Sequence, residues 1–170
     1  MNLINRMVFC LRDKGFRDLP EDERAGKIDE GALAILRKLN EEGKEAYVVG
    51  GSVRDLLMGL VPHDWDITTS ARPEETMCIA RAAGWKAVDG GGRRFGTVIV
   101  VRHGKSYEVT TFRREFYGAD AHRPEEVSFS DSLKEDVSRR DFTVNAMALV
   151  CDGCLYDYFH GLEDLEKKRL

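Results

Sequence analysis

The sequence predicts a single domain of the α/β class, in its α+β form, with a small mixed sheet rich in hairpins and flanked by helices. Three observations predict it. Ile28, Ala32, Ile35, Leu36 and Leu39 recur at helical spacing in one stripe, the pattern of a helix with one buried face. Short runs rich in β-branched and aromatic residues follow, each closed by glycine or proline, as buried strands bounded by turns require. The length, 170 residues, suits one core.

Taken in order, residues 1–27 read as an N-terminal extension and 28–170 as the domain. Pro20 to Arg24 forms a turn leading into the striped helix, which Gly43 stops. Ala46 to Val49 is a short buried strand, and Gly50-Gly51-Ser52 turns into a second helix, Val53 to Met58, ended by Gly59. Pro62 bars any continuation, so Trp65 to Thr68 becomes the next strand. Pro73-Glu74-Glu75 opens a third helix, with proline in the first turn and acids near the positive end of the dipole; Gly84 closes it.

Thr97 to Arg102 and Ser106 to Phe112 form a hairpin about His103-Gly104-Lys105. Arg113 to Ser130 is polar and lacks an apolar period, which predicts a mobile loop. Ser132 to Asp141 reads as a helix with a Ser132/Glu135 capping box, followed by an apolar segment, Thr143 to Leu149. Cys151 and Cys154 flank Asp152-Gly153, which suits a type I′ hairpin turn. Half a zinc site is the poorer reading, because no second pair stands at ligand spacing.

Composition excludes several classes. No apolar run approaches the roughly 20 residues of a membrane span, and the patch between Arg6 and Arg12 is too short for a signal peptide. A cytoplasmic location with reduced thiols is the expectation. Net charge is −4, so any grip on a polynucleotide is local or supplied elsewhere, since phosphate neutralisation carries most of such affinity. The arginines do gather as pairs: Arg93-Arg94, Arg113-Arg114 and Arg139-Arg140.

The chemistry centres on Val48 to Ser70. If Asp64 to Ile67 is extended, Asp64 and Asp66 share one face while Trp65 and Ile67 point into packing. Paired carboxylates suit magnesium, which keeps waters and recruits substrate phosphates; a lone pair of this kind is as readily a solvated edge. Gly50-Gly51-Ser52 lies between strand and helix, where backbone N–H groups can approach a triphosphate, and Arg54 can reach the same anion. Glu108 lies on a strand able to neighbour the aspartates. Singly these residues also read as a tight turn, a partner for Asp55 and a solvated strand face. Together they fit metal-assisted nucleotidyl transfer, in which three acids with two metal ions activate a 3′-hydroxyl and brace the leaving pyrophosphate.

GGSVRD at 50–55, DWD at 64–66, EVTTFR at 108–113 and SRRDFTVNAMA at 138–148 together resemble the head domain of class II tRNA nucleotidyltransferases. That family comprises CCA-adding enzymes and bacterial poly(A) polymerases, and the resemblance covers about residues 30–168. It implies a nucleotidyltransferase palm of the polymerase-beta type. Asp64 and Asp66 would hold Mg2+, with Glu108 as third carboxylate. Gly50, Gly51, Ser52 and Arg54 would meet the triphosphate, and Arg140, Asp141 and Asn145 the incoming nucleotide's sugar and phosphates. For Asp141 and Asn145, helix-end capping is the alternative.

The implied activity is template-independent addition of CMP and AMP, from CTP and ATP, to the tRNA 3′ end. A poly(A) polymerase head, or a nucleotide-binding or interaction module without turnover, stays open. Two departures matter. Asp120-Ala121-His122-Arg123-Pro124 stands where relatives carry an Asp-Gly-Arg-Arg-like string. No EDxxR motif of the family's neck is present, and Glu163-Asp164 has the wrong spacing to arginine. Neck and body, or a partner chain, are therefore expected to supply base selection and the grip on tRNA. The domain itself should bind all four nucleoside triphosphates weakly and alike, and tRNA poorly.

Overall fold

The computed structural model describes residues 8–10, 28–90, 96–117 and 124–169. Helix α1, Glu30–Glu41, carries the predicted stripe, and its N-cap Asp29 accepts from the N–H groups of Gly31 and Ala32. Ile28 therefore precedes the helix and packs against the core from its entry. Strand β2, Ala46–Val49, is buried throughout and turns at Gly50 into α2, Gly51–Leu57. That helix starts two residues earlier than predicted, because the glycine pair supplies its first turn.

Strand β3 spans Asp66–Thr69, one residue later than predicted, and α3, Pro73–Ala82, opens at its proline. β5, Thr97–Arg102, and β6, Lys105–Thr111, form the expected hairpin. Residues outside the prediction complete the sheet: β1, Val8–Cys10, and β4, Lys86–Asp89. Both are short edge strands with little periodic signal. β9, Met147–Leu149, and β10, Cys154–Asp157, make a second hairpin. The chain ends on α5, Gly161–Glu166, also unforeseen.

Eight strands run in the order β1-β10-β9-β2-β3-β6-β5-β4. Every pairing is antiparallel except β3 with β6. On one face, Val48, Ile67, Val109, Val98 and Val100 pack with Ile35, Leu36 and Leu39 of α1 and Ala80 of α3. The other face carries Tyr47, Val49 and Ala148 into a second cluster with Phe112, Leu133 and Val137. That second face is covered only in part. The functional residues lie on its open part.

Three expectations are corrected. Arg113 to Ser130 is not a structureless loop: β7, Arg113–Tyr117, pairs with β8, Pro124–Phe129, as a separate ribbon. Backbone pairing supplies order where no apolar period exists, and the ribbon's root is tied down by Arg72. Its guanidinium lies 5.2 Å from the Phe129 ring centre and donates to Asp131 at 3.0 Å. Residues 118–123, holding most of the Asp120–Pro124 string, lie outside the described residues, as do Pro20 to Arg24 and Arg93-Arg94.

The helix predicted to run to Asp141 is α4, Leu133–Ser138. Its Ser132 cap is present, but Ser138 Oγ turns back to the Glu135 carbonyl, and the chain leaves the helix at the arginine pair. The segment beyond makes one 3-10 turn, Thr143–Asn145, before β9. Lastly, of the pair Asp152-Gly153 only Gly153 has positive φ, +87°, whereas type I′ needs it at both. Gly153 N–H bonds to the Val150 carbonyl and Val150 N–H to the Cys154 carbonyl, a three-residue turn with a glycine bulge. The type I′ geometry occurs instead at His103-Gly104, φ +49° and +79°.

Candidate active site

Asp64, Trp65, Asp66 and Ile67 alternate between exposed and buried. Trp65 retains 8% of its surface and Ile67 1%, so their packing fixes the two aspartates outward. The apolar pair sets the acids' direction. Across the parallel ladder Asp66 stands in register with Glu108, and across the antiparallel one with Val49. Directly paired positions point to the same side of a sheet. Asp66 and Glu108 thus face one side of the sheet, and Asp64, two residues before Asp66 and likewise exposed, lies close enough to act on its charge.

Although its side chain meets solvent on this face, desolvation by the surrounding protein raises the Asp66 carboxyl above its ordinary value; Arg140 opposes this and the Asp64 carboxylate adds to it. The donor set is carboxylate oxygen alone, with two acids repelling one another. That is chemistry a hard divalent cation relieves. Among the described residues no three His, Cys, Asp or Glu side chains group closely enough to hold a metal ion, so Asp64, Asp66 and Glu108 do not form a three-carboxylate cluster in this structure. The residues that could hold a divalent cation here are the neighbouring pair Asp64 and Asp66, since Mg2+ binds through one or two carboxylates and keeps several waters.

Gly50 forms the wall beside these acids. Its φ of +79° and ψ of −146° belong to a region that is nearly glycine's alone. A Cβ there would stand 3.1 Å from Arg140 Nη1 and 3.3 Å from Asp66 Oδ2, so glycine, arginine and aspartate converge on one point. Burial lowers the Arg140 affinity for its proton and Arg139 adds to that, while Asp136 and Asp66 hold the charge in place. Arg140 Nε is enclosed and finds no acceptor.

Arg54 confirms one alternative without losing the other. It donates to Asp55 from Nε and Nη2, at 2.9 and 2.7 Å, and from Nη1 to Asn145 Oδ1 at 3.0 Å. The guanidinium is thereby held beside Gly51, whose Cβ would lie 3.3 Å from Nη2. Asn145 is an orienting partner of Arg54, not a helix cap. Ser52 is buried and its hydroxyl donates to the Val49 carbonyl at 3.0 Å, which secures the strand-to-helix turn. Asp141 is exposed just past α4, and the 3-10 turn after it has no side-chain cap.

Sequence reasoning passed over Asp136 and Thr68. Asp136 is fully buried; it accepts from Thr68 Oγ1 at 2.8 Å, from Arg113 N–H at 3.1 Å and from Arg139 Nε at 3.2 Å. The signal was its place three residues before Arg139, the residue that caps α4, a spacing that brings side chains together at the last helical turn. Its burial was not legible.

The geometry can be set beside known proteins. The family model described as the poly(A) polymerase head domain matches residues 46–170. The CCA-adding enzyme of Streptococcus pyogenes serotype M2 is 54% identical over 139 residues, covering 82% of this chain and 33% of the relative. The crystal structure of the Bacillus stearothermophilus CCA-adding enzyme with CTP is 45% identical with a TM-score of 0.69, covering 79% of this chain and 31% of that one. A tRNA nucleotidyltransferase crystallised with a primer tRNA and an incoming ATP analog is 34% identical with a TM-score of 0.59, covering 79% and 37%. The chain spans about a third of the length of these relatives. The nucleotidyltransferase fold is shared with them, and no helix among the described residues is long and apolar enough to cross a membrane. A family match over residues 46–170, joined to 54% identity with a relative over 82% of the chain, makes this chain a member of the poly(A) polymerase head domain family.

Proposed function

We propose that this domain is the catalytic part of a template-independent nucleotidyltransferase, adding CMP and AMP from CTP and ATP to the 3′ end of tRNA. One observation carries the reading: Asp66 lies in register with Glu108, on the face shared with Asp64, against the point where Gly50 and Arg140 meet. A pocket kept only for binding has little need of three outward carboxylates. The names of the relatives, CCA-adding enzyme with CTP and tRNA nucleotidyltransferase with primer tRNA and an ATP analog, favour the same substrates.

In this reading Asp64 and Asp66 hold Mg2+, which when bound acidifies the 3′-hydroxyl and stabilises the leaving pyrophosphate. Glu108 supplies the third negative charge on that face. Arg140 presents a guanidinium, whose planar fork suits phosphate, beside the Gly50 turn. Arg54, oriented by Asp55 and Asn145, meets the far phosphates, and Gly50 leaves room that any side chain would fill. The backbone N–H groups of Gly51 and Ser52 face the same anion, and Asp141 and Asn145 border the sugar. Base selection and the hold on tRNA are assigned to polypeptide beyond this domain or to a partner chain.

The test is incubation of tRNA lacking its CCA end with Mg2+ and each labelled nucleotide in turn. It uses both this domain and the domain joined to the remaining length its relatives possess. Incorporation of C and then A by the longer form is expected. Addition of A alone to any RNA would make it a poly(A) polymerase head. Incorporation of none, with nucleotide still bound, would make it a binding module.

A further inference from the structure

Within the site just proposed, no described contact joins Arg140 to the strand that bears Asp66 by a direct hydrogen bond. What joins the two elements is Asp136. One carboxylate, with no exposed surface, reaches three parts of the molecule at once. Its Oδ2 accepts from Thr68 Oγ1, two residues along β3 from Asp66 and on the same face. Its Oδ1 accepts from Arg139 Nε, next to Arg140, and from the backbone N–H of Arg113, where the β7–β8 ribbon begins. Burying an ion costs several kcal/mol unless it is paired and bonded on all sides, so such a group is retained here only with its partners held in place.

We infer that Asp136 is a positioning residue for nucleotidyl transfer: it anchors the arginine segment after α4 to the metal-bearing strand, and so fixes Arg140 against the triphosphate. The inference rests on the proposed function. A buried anion at this place attracts the neighbouring arginines and offsets part of what enclosure and Arg139 cost the Arg140 charge. The hydrogen bond to Thr68 sets the distance from Arg140 to the acids. The bond to Arg113 ties the root of the ribbon to the same point, so the ribbon and the arginine segment share one attachment.

Asn is nearly isosteric and can keep the contacts: its oxygen accepts from Arg113 and Arg139, and its amide donates to Thr68 Oγ1. Thr68 in turn has the Thr110 carbonyl as a second acceptor, 3.3 Å away. Asp136→Asn therefore removes the charge and leaves the shape. Calorimetric titration with magnesium CTP and with CMP separates a positioning role from a structural one. Asp136→Asn is expected to weaken CTP about tenfold, or ~1.4 kcal/mol, and to leave CMP within about twofold, because only the triphosphate calls on Arg140 fully.

The loss should disappear in an Arg140→Gln background and persist in an Arg54→Gln background, since coupling reports a shared pathway. Equal weakening of CTP and CMP, or an undiminished effect without Arg140, would overturn the inference. Thr68→Val, which removes one link and keeps the charge, should act in the same direction with a smaller change. If Asp136→Asn does not fold, unchanged CTP affinity in Thr68→Val overturns the inference. A wild-type domain that binds no magnesium CTP overturns the proposed function as well, whereas normal binding with an unaffected Asp136→Asn overturns this inference alone.

Discussion

Two aspartates at opposite sides of the sheet carry opposite electrostatic balances. Asp29, at the head of α1, accepts from Gly31 and Ala32 N–H, from Tyr107 Oη at 2.6 Å and from Lys105 Nζ at 2.6 Å. Burial alone would raise its carboxyl, yet these four donors together hold it below the ordinary value. Asp66, at the head of β3, is raised: burial penalises its charge, Asp64 repels it, and Arg140 compensates only in part. Folding satisfies the first and leaves the second opposed by its neighbours, the imbalance that a cation would relieve under the function proposed above.

The largest effect expected from that contrast is on chemistry. Asp66→Ala should lower nucleotide addition by on the order of a thousandfold or more, equivalent to ~4 kcal/mol of barrier. The melting temperature should stay unchanged or rise, because a repulsion is removed. Mg2+ should raise the melting temperature of the wild type and not of the variant. A variant that melts earlier and still turns over would place Asp66 with Asp29 among the structural acids.

Next comes Asp136, the most deeply buried of the satisfied acids. Asp136→Ala removes the carboxylate that Arg139 Nε, the Arg113 N–H and Thr68 Oγ1 share, and breaking a buried pair from one side costs about 3–5 kcal/mol. Urea denaturation measures it. A loss below about 1 kcal/mol would mean that solvent replaces the carboxylate and that the interior here is wetter than its geometry.

How much of this contrast was visible beforehand follows from periodicity. Asp64 and Asp66 were legible because strand alternation dictates a shared face, and their exposure depends only on Trp65 and Ile67 being apolar. Glu108 was legible as a strand residue; its register opposite Asp66 required a parallel pairing that no local pattern encodes. Asp136 carries no local mark of burial, since it looks like an ordinary first-turn acid of a capped helix. The β7–β8 ribbon escaped notice for a related reason: its order comes from backbone pairing and from Arg72, which is remote in sequence. The edge strands β1 and β4 are too short for alternation to register.

The smallest effect is also the sharpest discriminator, because it depends on sign. Asp29 has a depressed carboxyl, so its stabilisation is fully present above the unfolded value, about pH 3.9, and is lost as pH falls through the lower folded value. Asp66 is the reverse: its raised carboxyl favours the folded state below the unfolded value, and that contribution is lost as pH rises through the folded one. Asp29→Asn retains an N-cap of similar quality and removes the charge facing Lys105. Because Lys105 is largely exposed, the cost at neutral pH should be only about 0.5–1 kcal/mol. Stability measured from pH 2 to pH 7 should show wild type and Asp29→Asn converging at the acid end and separating as pH rises. Asp66→Asn should also separate from wild type as pH rises, but upward, becoming the more stable protein once the wild-type carboxylate ionises. Curves that diverge in the same direction would mean that both acids are satisfied by the fold, and the repulsion between Asp64 and Asp66 would then have to be relieved by a protein group nearer than Arg140.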